Sequence, residues 1–98
     1  MIEIDDKIRQ WGREKKIDNP DKQTVKLMEE VGELAHEICR GKYKSDELID
    51  AFGDIQVVLI ILADMLDIDL EACKTIAYDV IRDRKGVTKD GCFVKGNE

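Results

Sequence analysis

The sequence predicts an all-α fold: an antiparallel bundle of about four helices, completed by oligomerisation, with a short C-terminal hairpin or loop tail. Three observations carry that expectation. Apolar residues recur at spacings of three and four along four successive segments. No period-2 alternation long enough to compete with them appears before the last dozen residues. One proline and seven glycines leave room for long helices.

The first helix is expected over roughly Ile2 to Lys16, with Ile4, Ile8 and Trp11 at helical spacing, ending near Asp18-Asn19-Pro20. Pro20 suits the first turn of a second helix running from about Asp21 to Arg40, with Asn19 as its N-cap. There Leu27, Val31, Leu34 and Ile38 form an apolar stripe, and Gly41 is placed to end the helix. After the short connection Lys42-Tyr43-Lys44, Ser45 can cap a third helix reaching about Leu66. So short a link implies that helices two and three lie antiparallel and touch. From Ile55 to Leu66 the third helix is apolar nearly all round, which predicts cover on every side, from a second subunit or from a tightly wrapped monomer. Asp69 can cap a fourth helix from about Leu70 to Arg84, stopped by Gly86. In the tail, about residues 86–98, Asp90-Gly91 between short β-favouring segments is a hairpin signal. Ninety-eight residues with no internal repeat read as a single domain.

A net charge of −6 argues against a non-specific nucleic-acid binder, whose affinity comes from Lys and Arg displacing counterions. An acidic chain can still bind nucleotides if metal ions bridge its carboxylates to phosphate. Cys39, Cys73 and Cys92 are odd in number and contain no CxxC pair, so neither a disulfide framework nor a zinc site is expected, and a reducing cytoplasm is the simplest compartment. The first residues, Met1-Ile2-Glu3-Ile4-Asp5-Asp6, lack the pattern of a signal peptide. The apolar run Val57 to Ala63 is far short of the ~20 residues that span a bilayer.

The chemistry lies in the acids. Glu30, Glu33 and Glu37 are spaced by three and four on one face of helix two, beside the apolar stripe, with Glu29 next to them. Helix three carries Glu47, Asp50 and Asp54 at the same spacings. Stacked like charges are mildly destabilising, and Lys26 is the only Lys or Arg between Gln23 and Arg40 to relieve them. Asp54 falls in line with Val57 and Ile61, which predicts a buried carboxylate in need of a partner or a cation. Four or more oxygen ligands without a second histidine favour Mg²⁺, or Mn²⁺ in its place, over zinc or copper. Because Mg²⁺ prefers to share its ligands with phosphate, a polyphosphate is the matching substrate.

Lys26-Leu27-Met28-Glu29-Glu30-Val31-Gly32-Glu33-Leu34-Ala35, followed by Gly53-Asp54-Ile55-Gln56-Val57-Val58-Leu59, resembles the MazG-like all-α NTP pyrophosphatases, in particular the short single-domain versions found in phages. The resemblance covers roughly residues 8 to 85. It implies a dimeric or tetrameric helical bundle that hydrolyses nucleoside triphosphates between the α and β phosphates, giving a monophosphate and pyrophosphate, with Mg²⁺ held by an ExxE pair and an ExxD pair. Glu30, Glu33 and Asp54 match those positions, whereas Ala51 stands where the first Glu of ExxD belongs. Either Asp50 supplies the missing ligand from one residue earlier, or Glu47 to Asp50 is a working ExxD shifted by a turn; the pairing of Asp50 with Asp54 is favoured.

The resemblance further implies catalytic parts for Glu29, as general base or partner of a metal-bound water, and for Glu30 as a metal ligand. Lys26, Lys74, Arg82 and Arg84 are candidates for the β and γ phosphates, although the last two also suit the C-terminal end of a helix dipole. Trp11 is a candidate to stack on the nucleobase and Gln23 to face the nucleotide, with core packing an equal role for the tryptophan. Two other classes stay open. Glu33-Leu34-Ala35-His36 is formally the ExxH of a di-iron bundle, and the Ala51 departure suits a non-catalytic nucleotide sensor or assembly module.

Overall fold

The computed structural model describes residues 3–96, in four helices and one hairpin: α1 (Ile4–Glu14), α2 (Pro20–Cys39), α3 (Asp46–Met65), α4 (Leu70–Ile81), β1 (Gly86–Lys89) and β2 (Cys92–Lys95). The chain forms two compact units, Met1–Ile68 and Asp69–Glu98. No helix among the described residues is long and apolar enough to cross a membrane.

In the first unit α2 and α3 form the expected helical hairpin, and α1 packs on α3. Capping follows the sequence reading. Asn19 accepts from the Lys22 amide at 3.1 Å with Pro20 in the first turn, and the Ser45 hydroxyl accepts from the Leu48 amide at 3.1 Å. Gly41, at φ 72°, ends α2 in a paired-bond motif, its own amide reaching the Ile38 carbonyl and the Lys42 amide that of Glu37. Lys16 and Asp67 end α1 and α3 in the same way, at φ 58° and 55°, although each carries a side chain. Of the first helix as predicted, Ile2 lies outside the described residues, and Ile4 proves exposed.

The core of this unit centres on α3: Leu48, Ala51, Val58, Ile60, Ile61 and Ala63. Over Ile55 to Leu66 the expected cover is partial within this chain: residues 60–65 are buried or half-buried round a full turn, whereas Leu59 and Leu66 are exposed. The predicted stripe on α2 is rotated as well. Val31 and Ile38 are exposed and Leu27 and Leu34 half-buried, while Gln23 and Glu30 are the buried residues of that helix. The line turned inward is therefore Gln23, Leu27, Glu30, Leu34 and Glu37, which mixes polar and apolar positions at helical spacing.

Two contacts fix α1 against α3. Gly12 is buried, and a Cβ there would stand 3.0 Å from the nearest Ile61 side-chain atom, so the helices meet where one of them lacks a side chain. Arg13 then donates from Nε to Asp64 Oδ2 at 2.9 Å and from Nη2 to Oδ1 at 2.6 Å. This bidentate bond holds the Asp64 carboxyl below its ordinary value, against an opposing push from burial. A lowered folded pKa stabilises in full above the unfolded carboxyl's pKa of about 3.9 and loses that contribution as pH falls through the folded value. Asp64→Asn is therefore expected to melt at a lower temperature than the parent at neutral pH, with the gap closing below about pH 4. Thermal melts across pH 2.5 to 7 check this; a gap independent of pH would remove the ion pair from the account.

In the second unit Asp69 caps α4, accepting from the Glu71 and Ala72 amides at 3.0 and 3.2 Å. The helix stops at Ile81, short of the predicted Arg84, and Gly86 begins β1 instead of ending α4. The hairpin is antiparallel, pairing Val87 with Val94 and Thr88 with Phe93. Its turn is the predicted Asp90-Gly91, at φ 51° and 78°, the left-handed pair that a tight two-residue hairpin requires. At Gly86 a side chain would run into the Val94 carbonyl.

Candidate functional site

A cleft of about 310 Å³ opens in the first unit, lined by residues of all three of its helices. From α2 come Gln23, Lys26 and Glu30, spaced by three and four so that each turn sends one side chain into it. Asp54, Val57, Val58 and Ile61 come from α3, Trp11 comes from α1, and Ile17 from the connection after it. Five residues singled out in the sequence thus share one cavity: Trp11, Gln23, Lys26, Glu30 and Asp54.

Glu30 is the unusual member. It is only 6% exposed, and its two oxygens differ. Oε1 lies 3.3 Å from the Lys26 ammonium, whereas Oε2 is buried with no hydrogen-bond partner. A carboxylate oxygen withdrawn from water without a donor or cation is costly, and native folds seldom leave one so. Gln23 is committed to structure on one side, since its Nε2 donates to the Val58 carbonyl at 3.3 Å and ties α2 to α3 beneath the cleft. Trp11 is 48% exposed, leaving much of its ring open.

Other expectations are corrected. Asp54 is exposed, because α3 presents Ala51, Ile55 and Val58 to its neighbours and leaves Asp54 at the edge of that face. Glu29, Glu33 and Asp50 are exposed and do not line the cleft. Among the described residues, no group of three or more His, Cys, Asp or Glu side chains converges closely enough to hold a metal. The fourfold carboxylate set is therefore not assembled, and what the cleft brings together is Glu30 and Asp54. Lys74, Arg82 and Arg84 belong to the second unit. There Lys74 pairs with Glu71 at 3.0 Å, and Arg82 lies 3.7 Å from Asp79 and 3.5 Å from Asp83.

A second, half-buried acid of α2 shares this feature of Glu30. Glu37 Oε2 is also buried without a partner, two turns along α2 from Glu30. The spacing 23, 30, 37 was the available signal, since it repeats at seven residues and passes through Leu27 and Leu34. The walls Ile17, Val57, Val58 and Ile61 had no such signal, because nothing in an apolar run distinguishes a cavity wall from core. Chemically, two carboxylates from facing helices, one with a free buried oxygen, can hold a hard cation that takes its other ligands from elsewhere. The open indole and the apolar walls suit an uncharged ring.

No family model matches the chain, and no solved structure matches it. The chain is similar to a protein of Haemophilus phage HP1 described as an uncharacterized 18.2 kDa protein in the rep-hol intergenic region, with 42% identity over 65 residues. That stretch covers 63% of this chain and 39% of the phage protein, so the match spans about two-fifths of the relative's length.

Proposed function

We propose that the chain is a Mg²⁺-dependent nucleoside triphosphate pyrophosphohydrolase, cleaving NTP or dNTP between the α and β phosphates to a monophosphate and pyrophosphate. The observation that carries this reading is the buried, unpartnered Glu30 Oε2 in a cleft shared with Asp54, Lys26 and an open tryptophan. The resemblance of the two acidic segments to the MazG-like pyrophosphatases supports it.

The donor set fits the proposed ion. Mg²⁺ at phosphate sites commonly takes one or two protein carboxylates and completes its shell with water and phosphate oxygens, so two acids in one cleft suffice without a closed protein cage. Glu30 and Asp54 would hold it, with Mn²⁺ as a substitute, and when bound the ion neutralises phosphate charge and makes a water more acidic. The protein's own groups do the rest. Lys26, 54% exposed beside Glu30, is free to swing toward a phosphate as a point charge. The Gln23 bond to Val58 keeps α2 and α3 in register, so that Glu30 and Asp54 stay on opposite walls. Water adds to one of the two phosphorus atoms flanking the α–β bridge. The bridging bond breaks, its electron pair leaves with the other fragment, and the water's proton passes to a carboxylate at the site or to solvent. Apolar walls at Val57, Val58 and Ile61 limit competing water.

A panel of ordinary NTPs and dNTPs with Mg²⁺ tests the reading. Pyrophosphate as first product, abolished by EDTA and restored by Mg²⁺ or Mn²⁺, is the expected result; orthophosphate as first product would move the cleaved bond and overturn it.

A second reading, a module that binds metal and nucleotide without turnover, is favoured by one observation. Ala51, at the position of the missing acid, is buried against its neighbours and leaves two carboxylates where the resembling family has four. Single-turnover assays with excess enzyme separate the two, because tight binding without pyrophosphate release belongs only to the module. A homodimer or homotetramer belongs to either reading, with the exposed Ile49, Phe52 and Leu59 as the face to be covered.

A further inference from the structure

We infer that Lys26 is a stand-in for the cation: its ammonium holds Glu30 while the cleft is empty, weakens binding of a bare metal ion, and leaves Glu30 when metal and polyphosphate arrive together. The inference rests on the pyrophosphohydrolase reading above and adds to it how the empty site is kept and in what company the metal enters. The cleft is lined by two carboxylates, Glu30 and Asp54, and by one cation, Lys26. No other basic side chain of the two facing helices competes for the role, since α3 contains neither Lys nor Arg and Lys26 is the only one between Gln23 and Arg40.

The two ends of this ion pair are unlike. The Glu30 side chain is 8% exposed and enclosed, whereas that of Lys26 is 54% exposed and ends a flexible stem. Their contact, 3.3 Å from Nζ to Oε1, joins residues one turn apart on α2, so the pair can form and part without movement of the backbone. A carboxylate so buried needs a positive neighbour, and Lys26 supplies it on one oxygen only, leaving Oε2 without a partner.

A cation held by Glu30 and Asp54 would face the ammonium across a single carboxylate. Two positive charges so close repel more strongly in a partly buried site than in water. Asp54 offsets part of that repulsion. A polyphosphate, with several negative charges of its own, offsets the rest and gives the ammonium a new partner. Lys26 leaves Glu30 at little cost, because its head group already reaches water. The resting cleft therefore disfavours a bare divalent ion and fills when metal and polyphosphate come together.

Removing the ammonium should move two affinities in opposite directions, which a merely structural ion pair does not do. Lys26→Met is expected to bind Mn²⁺ alone, followed by electron paramagnetic resonance, about fivefold more tightly than the parent. The same variant should bind tripolyphosphate, titrated calorimetrically in the presence of Mn²⁺, about tenfold or more weakly. Its melting temperature should fall without metal, since Glu30 then keeps a buried charge with no counter-ion, and Mn²⁺ should raise it by more than it raises the parent's. Lys26→Gln keeps a hydrogen-bond donor while removing the charge, and serves for both titrations if the methionine variant does not fold without metal. Equal Mn²⁺ affinity in parent and variants, or two affinities that move in the same direction, would overturn the inference and leave the pyrophosphohydrolase reading standing. Opposed shifts with no hydrolysis of any nucleotide would instead overturn that reading and leave the exchange at Glu30 in place. Absence of Mn²⁺ binding by the parent and both variants would overturn the two together.

Discussion

If the chain is the proposed pyrophosphohydrolase, Glu30→Gln is expected to lower pyrophosphate release by about two orders of magnitude or more while the protein melts within a few degrees of the parent. The two halves of that result come from different atoms. Glutamine keeps the shape of the side chain and still offers one oxygen to Lys26, but it removes the negative charge that a cation in the cleft needs. Loss of the ion pair costs little in stability, because the Lys26 side chain is 54% exposed and stays hydrated when its partner is neutral. Removing a buried charge with an unpartnered oxygen offsets part of even that cost. Asp54→Asn is expected to follow Glu30→Gln in activity. Glu29→Gln, on an exposed residue away from the cleft walls, is expected to stay close to the parent. Steady-state pyrophosphate release and thermal melts on the same preparations decide it. Full turnover in Glu30→Gln would show that the buried oxygen serves the fold and not the reaction.

Gly12→Leu destabilises the fold by about 1–3 kcal/mol, the ordinary cost of forcing extra carbon into a filled contact, despite leucine's better helix propensity. The strain has a known origin, since even a Cβ at this position meets three Ile61 side-chain atoms between 3.0 and 3.3 Å. Ile61 also lines the cleft, so pushing α1 outward disturbs the cavity as well as the core. A double-mutant cycle tests that coupling. Ile61→Ala alone should cost about 2–5 kcal/mol, and combining it with Gly12→Leu should cost less than the sum, because the new leucine occupies the space the isoleucine leaves. Denaturant titration of the four proteins measures it, and strict additivity would show that the two residues do not press on each other.

The contrast between Glu30 and Glu33 shows how far the candidate site was legible beforehand. Both stood out by spacing and by the resemblance, and both were expected beside an apolar stripe. Which of the two turns inward depends on the angle at which α2 meets α3, and the local pattern leaves that angle open. The stripe Leu27, Val31, Leu34, Ile38 is one solution to the periodicity; the line Gln23, Leu27, Glu30, Leu34, Glu37 is another, displaced by part of a turn. The bond from Gln23 to the Val58 carbonyl belongs to the second. Asp54 was misplaced for the same reason, since i, i+3 and i, i+7 steps reach the edge of a buried face as readily as its centre.

From the order of residues alone came the helices, their caps at Asn19, Ser45 and Asp69, the helix end at Gly41, the hairpin turn at Asp90-Gly91, and the acids worth suspecting. All of these depend on neighbours a few positions apart, where backbone geometry leaves few choices. Tertiary structure alone decided that Glu30 is buried with one oxygen unpartnered, that Glu33 and Asp50 stay in solvent, and that Trp11 lines the cleft with Glu30 and Asp54. Those outcomes follow from the rotation of one helix against another, which side-chain volumes distant in the chain, such as the missing one at Gly12, settle only when the faces meet.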